Sequence, residues 1–339
     1  MENLDKEMLK IEDLSISFYT PVGEVKAVDS ISYTLHENEI MGIVGESGSG
    51  KSVESYGIMG LLQSPGKVKS GKILYKGENV LDYDKKQMSS FRGAKCSMIF
   101  QNPMTCLNPV YTIGNQLMEA VLVHKDKSKK EAYDMAVEML DLVGISNPER
   151  RMKQYPHELS GGMRQRVMIG MGLICKPDIL IADEPTTALD VTIQAQILEL
   201  IKDIQEKNKM SVIFITHNLA VVAQICDTVS VMYAGRIVEQ GSVDDIFYRP
   251  SHPYTKGLLK SMPRIDVDDK TRLESIKGVP VDMLNPPEGC GFSTRCDSCM
   301  NICLRKEPPM IELGDGHRSK CFLHVKELLN ARWEIINSK

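Results

Sequence analysis

The run Gly45-Glu46-Ser47-Gly48-Ser49-Gly50-Lys51-Ser52 carries the densest chemistry in the sequence. It fits the pattern GxxxxGK[ST] and follows the apolar run Ile40 to Val44 directly. Glycines at this spacing let successive backbone N–H groups turn inward toward phosphate oxygens, and a helix start behind them adds partial positive charge. Gly45, Ser47, Gly48, Ser49 and Gly50 supply that loop. Lys51 is placed to reach β- and γ-phosphates, and the Ser52 hydroxyl to ligate Mg²⁺. A second apolar run, Ile179 to Ala182, ends in two acids, Asp183 and Glu184. The first can hold Mg²⁺ through water, and the second can serve as general base toward the attacking water. Together the two motifs imply nucleoside triphosphate hydrolysis.

These groups need a scaffold that places loops at strand ends. Ile40 to Val44, Cys96 to Phe100, Ile179 to Ala182 and Val212 to Thr216 are short apolar runs that read as strands buried on both faces. They alternate with helical patterns, the sign of an α/β fold with a largely parallel sheet. Leu9 to Phe18 and Ala27 to Leu35 alternate more openly and suggest an antiparallel β layer. Between Tyr111 and Ile174 the pattern is helical. Ala132, Met135, Ala136, Met139, Leu140 and Val143 share one face and Gly144 ends the helix, so a helical subdomain over about residues 110–175 is expected.

The stretch Leu159-Ser160-Gly161-Gly162-Met163-Arg164-Gln165-Arg166 narrows the family. Ser160 and the amides of Gly161 and Gly162 at a helix start make a second anion-binding surface. The stretch, with Gln165 in its helix, resembles the signature motif of ATP-binding cassette (ABC) ATPases, a family of P-loop NTPases. There the signature meets the γ-phosphate held by the opposite subunit, so the resemblance implies a dimer with two ATP molecules sandwiched at its interface. Gln101 resembles the family's Q-loop glutamine, which senses Mg²⁺ and couples to a transmembrane partner. Ala188-Leu189-Asp190 resembles the D-loop, and His217 resembles the switch histidine that stands near the γ-phosphate. Phe18 or Tyr19 is the candidate to stack on adenine, Phe18 fitting the family spacing better. The resemblance spans about residues 8–250, and residues 1–250 would form the nucleotide-binding domain.

Nine cysteines are present. Cys96, Cys106, Cys175 and Cys226 are scattered, whereas Cys290, Cys296, Cys299, Cys303 and Cys321 crowd together near the end. Such density in a reducing compartment points to metal ligation. The segment Arg249 to Pro287, rich in Pro and charge, reads as a connection with little periodicity. With the NPMTCLNP stretch (Asn102 to Pro109) and GCGFSTRCDSCMNICLRKEPPM, it resembles oligopeptide and dipeptide importer ATPases, whose Cys-rich extension would here occupy residues 251–339. That resemblance implies that Cys290, Cys296, Cys303 and Cys321 hold a [4Fe–4S] cluster. Cys299 departs from the four-cysteine pattern, and its spacings to Cys296 and Cys303 also suit zinc.

Composition limits the remaining classes. Hydrophobic residues are 42% and charged residues 25% of 339, the balance of a soluble globular chain. Forty-one Lys plus Arg against forty-five Asp plus Glu give a net charge of -4, which argues against a nucleic-acid partner. The longest apolar run is too short to span a bilayer, and the N-terminus is not a secretory signal. The resemblance therefore implies a peripheral subunit on the cytoplasmic face of the membrane. Its partners would be two permease subunits, a homologous second ATPase or a second copy of itself and, indirectly, an extracytoplasmic peptide-binding protein. Import of nickel or oligosaccharide is the alternative within the family. A soluble ABC ATPase acting on nucleic acid or ribosomes, and an iron–sulfur electron carrier, are the alternatives outside it.

Overall fold

The computed structural model of the chain describes residues 6–101, 106–186, 190–262 and 275–325. The first part of NPMTCLNP and the D-loop residues Ala188 and Leu189 lie outside the described residues. The chain divides into two compact units. One comprises Met1–Lys10, Thr34–Ile40 and Leu74–Ile215; the other comprises Ile11–Tyr33, Met41–Ile73 and Thr216–Lys339.

Long strands β1 (Glu7–Thr20) and β2 (Gly23–His36) come first, then β3 (Ile40–Val44) and helix α1 (Lys51–Ile58). Next are β4 (Gly66–Tyr75), the short β5 (Glu78–Asn79), α2 (Lys85–Phe91) and β6 (Cys96–Ile99). Strands β1, β2, β4 and β5 form a four-stranded sheet in the order β2-β1-β4-β5, with β4 and β5 antiparallel. The open alternation at Leu9 to Phe18 and Ala27 to Leu35 thus marks real strands, each several residues longer than the apolar pattern suggests.

Four helices follow: α3 (Ile113–His124), α4 (Lys129–Leu142), α5 (Pro148–Arg151) and α6 (Gly161–Leu173). In α4, Ser128 and Glu131 form a reciprocal capping box, and Ala132, Ala136, Met139 and Leu140 are buried along one face. Gly144 ends this helix with φ 74°, a left-handed conformation that costs glycine little. Then come β7 (Ile179–Asp183), α7 (Val191–Asn208) and β8 (Ser211–Thr216). Within the first unit β6 pairs parallel to β7, and β7 parallel to β8. Every residue of β7 and β8 is buried, as strands covered on both faces require.

The second unit continues with α8 (Leu219–Ile225), β9 (Thr228–Tyr233), β10 (Arg236–Ser242), α9 (Val243–Tyr248) and α10 (Pro253–Lys260). It ends with β11 (Ile311–Gly314) and β12 (His317–Ser319). Here β3 lies parallel to β9, β9 antiparallel to β10, and β10 antiparallel to β12, with Glu239 opposite Ser319. The tail hairpin β11–β12 therefore adds to the β10 edge and gives its backbone groups partners.

The segment expected to be a plain connection is not one. It contains α10, which starts where Pro253 occupies the first turn and the His252 ring accepts the Tyr254 N–H at 3.1 Å. A helix this short shows little periodicity in sequence. Its Tyr254 is fully buried and packs with Tyr233 and Phe292, ring centroids 4.6 and 5.4 Å away.

Candidate functional site

In the second unit the loop after β3 wraps back on itself before α1. Gly45 and Gly50 are required by close approach: a Cβ would stand 2.1 Å from the Met232 carbonyl at the first and 2.2 Å from the Ala27 carbonyl at the second. Gly50 also has φ 102°, open to glycine but strained for other residues. Gly48 is left-handed too, and Ser47 and Gly48 are exposed at the loop's tip. Ser49 is buried; its N–H donates to the Glu46 carbonyl at 3.2 Å and its carbonyl accepts from Gly235 N–H at 3.0 Å. Lys51 is 6% exposed and folds over the loop, its Nζ donating to the carbonyls of Gly45 at 2.8 Å and Glu46 at 2.9 Å. A lysine held on exchangeable carbonyls of the loop it serves can transfer to phosphate oxygens. Ser52 stands in the first turn of α1.

Behind the loop, Glu54 of α1 is 1% exposed and accepts a hydrogen bond from the Tyr33 hydroxyl. Burial pushes its carboxyl up to about 7, against the opposing effect of Tyr33. Of the two aromatic candidates, the Phe18 ring packs where a Cβ on Gly66 would fall, whereas Tyr19 is 47% exposed. His217 is exposed immediately after β8, next to Asn218, which caps α8 by accepting the Ala220 N–H.

The first unit holds the acids. Asp183 ends β7 at 1% exposure, and Glu184 follows with φ 46°, a conformation rare for a residue with a side chain. The Glu184 N–H is tied to the Ile215 carbonyl at 2.9 Å, which holds the strained turn in place. Gln101 donates its Nε2 to Glu184 Oε2 at 2.8 Å. The structure thus brings together the glutamine and the acid that sequence spacing kept far apart.

The signature residues lie in the same unit. Ser160 caps α6, its Oγ accepting the Met163 N–H at 3.3 Å. Ser160 and Gly161 are exposed and Gly162 partly so, which leaves the helix start accessible. Gln165 is 2% exposed and donates to the Pro185 carbonyl, so it links α6 to the turn that carries Glu184. Asp190 caps α7 by accepting the Ile193 N–H at 2.9 Å.

The tail places its cysteines differently from the expectation. Cys290, Cys296, Cys303 and Cys321 line one small pocket with His252, Phe292 and Phe322, and Cys299 is exposed. Burial pushes the Cys290 thiol up to about 12 and the Cys296 thiol to about 11, with the neighbouring cysteines adding to the shift. Among the described residues no group of three or more His, Cys, Asp or Glu stands close enough to hold a metal ion. The expected metal ligand set is thus gathered into one pocket but not drawn up around a centre.

Two contacts were not foreseen from sequence. The Tyr254 hydroxyl accepts the Glu46 N–H at 2.9 Å, and Arg295 forms an ion pair with the Glu46 carboxylate at 2.6 Å. Neither lies within a recognisable spacing; the one signal was an acid inside a phosphate loop, a charge that calls for a partner.

Comparison with known proteins gives the family. Residues 28–187 match the family model described as ABC transporter, and residues 238–303 match the one described as Oligopeptide/dipeptide transporter, C-terminal region. The chain is 54% identical to the "Dipeptide transport ATP-binding protein DppD" of Bacillus subtilis, covering 94% of this chain and 95% of that protein. It is 52% identical to the "Oligopeptide transport ATP-binding protein OppD" of the same organism, covering 93% and 88%. A dimeric bacterial ABC transporter cassette is 26% identical, with a TM-score of 0.63 over 70% of this chain and 99% of the cassette. The match runs through both the cassette and the tail, so the chain belongs to the ATP-binding proteins of the dipeptide and oligopeptide ABC transporters.

Proposed function

We propose that the chain hydrolyses ATP to drive import of di- and oligopeptides through partner permease subunits. The observation that carries this reading is the 54% identity to a dipeptide transport ATP-binding protein across 94% of the chain. That relative and the tail match favour peptides over the nickel and oligosaccharide alternatives, and a transporter subunit over a nucleic-acid ATPase. None of the helices among the described residues is long and apolar enough to cross a membrane. The chain would sit on the cytoplasmic face against two permease subunits, paired with a homologous ATPase or a second copy. A separate peptide-binding protein outside the membrane would deliver the substrate.

Residues 1–250 are assigned to the nucleotide-binding domain, with a helical subdomain over about 110–175, and 251–339 to the extension. The roles divide by chemistry. The loop amides from Gly45 to Ser52 and the Lys51 ammonium bind the phosphates, and Phe18 or Tyr19 stacks on the base. Ser52, Gln101 and Asp183 supply oxygen donors suited to Mg²⁺, which neutralises phosphate charge when bound. Glu184 takes a proton from the attacking water, its carboxylate oriented by Gln101. His217 serves the γ-phosphate, and Ser160, Gly161 and Gly162 with Asp190 act on the nucleotide of the opposing subunit, Gln165 bracing their helix. For the tail, an all-thiolate [4Fe–4S] cluster on Cys290, Cys296, Cys303 and Cys321 would need these thiols, which line one pocket, to draw together, and it would then staple the short turns; zinc is the second candidate.

The test is hydrolysis with and without the base. Glu184→Gln is expected to lower kcat at least about 100-fold while ATP affinity stays near wild type. Unchanged turnover removes Glu184 from the mechanism.

A further inference from the structure

Glu46 is the odd residue of the phosphate loop. It places a carboxylate within the segment that must receive the most anionic part of the nucleotide, where a like charge repels. Each of its polar groups is engaged. Its N–H donates to Tyr254 Oη at 2.9 Å, and its carbonyl accepts from Lys51 Nζ at 2.9 Å. Its carboxylate takes two bonds from one guanidinium: Arg295 Nη1 at 2.6 Å to Oε2 and Nη2 at 3.0 Å to Oε1. Paired, planar contact of this kind fixes geometry as well as charge.

Arg295 is itself held before it meets Glu46. It is 8% exposed, and its Nε donates to the Lys277 carbonyl at 2.9 Å while Nη2 reaches the Ile276 carbonyl at 3.4 Å. The guanidinium lies over the Tyr233 and Phe292 rings, 5.8 and 6.0 Å from their centroids. It sits on the short turn Ser293–Arg295, flanked by Cys290 and Cys296 of the thiol pocket. The tail therefore delivers a preorganised positive charge to the start of the phosphate loop.

We propose that Arg295 is a positioning residue for nucleotide binding, which neutralises Glu46 and so couples the cysteine-lined tail to the phosphate loop. This rests on the assignment of Gly45 to Ser52 as the ATP site. Removing Arg295 leaves the Glu46 charge facing the phosphates; removing the Glu46 charge leaves the guanidinium in place, because the tail carbonyls and rings still hold it. The two changes therefore act in opposite directions on ATP affinity, an outcome that loss of packing alone does not produce.

The experiment is titration of the purified full chain with a fluorescent ATP analogue and Mg²⁺, at low and high salt. Arg295→Met is expected to weaken binding about tenfold, Glu46→Gln to tighten it roughly threefold, and the double variant to regain most of the loss. Both single effects should shrink at high salt. Wild-type affinity in Arg295→Met, or no recovery in the double variant, overturns the proposal. Should Arg295→Met not fold, Glu46→Gln decides alone: affinity unchanged or weaker contradicts it. A wild-type chain that binds no nucleotide overturns the ATP site itself, and the coupling with it.

Discussion

The phosphate loop and the cysteine pocket stand in one unit and are linked by the packed rings of Tyr233 and Phe292, with centroids 5.2 Å apart, yet they are built in opposite ways. The loop is a backbone device. Carbonyls at 2.1 and 2.2 Å from where side chains would begin exclude everything but glycine at Gly45 and Gly50, and the functional groups are mostly amides. The cysteine pocket is a side-chain device. Four thiols project from short turns and a hairpin, tied by single backbone bonds such as Cys290 N–H to the Cys303 carbonyl at 2.8 Å. A site made of backbone tolerates almost no change in chain geometry, whereas a site made of side chains tolerates change until a cross-link or ligand fixes it.

The contrast predicts unequal sensitivity. Gly50→Ala forces a Cβ onto the Ala27 carbonyl at a φ of 102°, a strain on the order of 1–3 kcal/mol before any loop shift. Affinity for ATP is expected to fall at least about tenfold with a lower melting temperature, measured by nucleotide titration and thermal unfolding. Near-normal binding would mean that the loop is not backbone-limited.

Acidity sharpens the comparison further. Glu54 behind the loop is raised to about 7 by burial, while His252 at the start of α10 is pushed down to about 3, also by burial, with His324 and Lys256 adding to it. Glu54 binds its proton more tightly in the folded state, so its contribution is complete at acid pH and is lost as pH rises toward about 7. His252 must stay neutral, so its contribution is present above the ordinary histidine range and is lost as pH falls through and below it. Glu54→Gln should therefore raise the melting temperature at pH above about 7 and flatten its decline between about pH 4.5 and 7, an effect on the order of 1–3 kcal/mol. A decline that persists in that variant would assign it elsewhere.

The smallest effect belongs to the pocket. In the metal-free chain, Cys321→Ser places a hydroxyl among apolar walls and should cost on the order of 1 kcal/mol, a drop of a few degrees in melting temperature. Its loss of ATP affinity should be well below that of Gly50→Ala. An equal loss would show that the two regions are not separable.

What the sequence made legible follows the same division. The strand before the phosphate loop, the acids after Ile179 to Ala182, and the capped signature helix are local patterns, because their geometry is set by residues a few positions apart. The link from Gln101 to Glu184 and the pairing of Arg295 with Glu46 are not local, being contacts across 83 and 249 positions. Helix α10 was hidden for another reason: two turns among prolines and charges give no period to read, and burial of Tyr254 supplies the order instead. The cysteines were legible as a cluster by density alone, while their arrangement depends on where the β12 hairpin returns Cys321.

The most direct test of the account is peptide accumulation in proteoliposomes that hold the chain with its permease partners, its second ATPase and the external binding protein. With Mg²⁺ and ATP on the side of this chain, a labelled dipeptide should accumulate against its gradient, and Glu184→Gln should abolish that accumulation. Accumulation that persists without ATP, or that survives the Glu184 substitution, would contradict the claim that this chain supplies the energy.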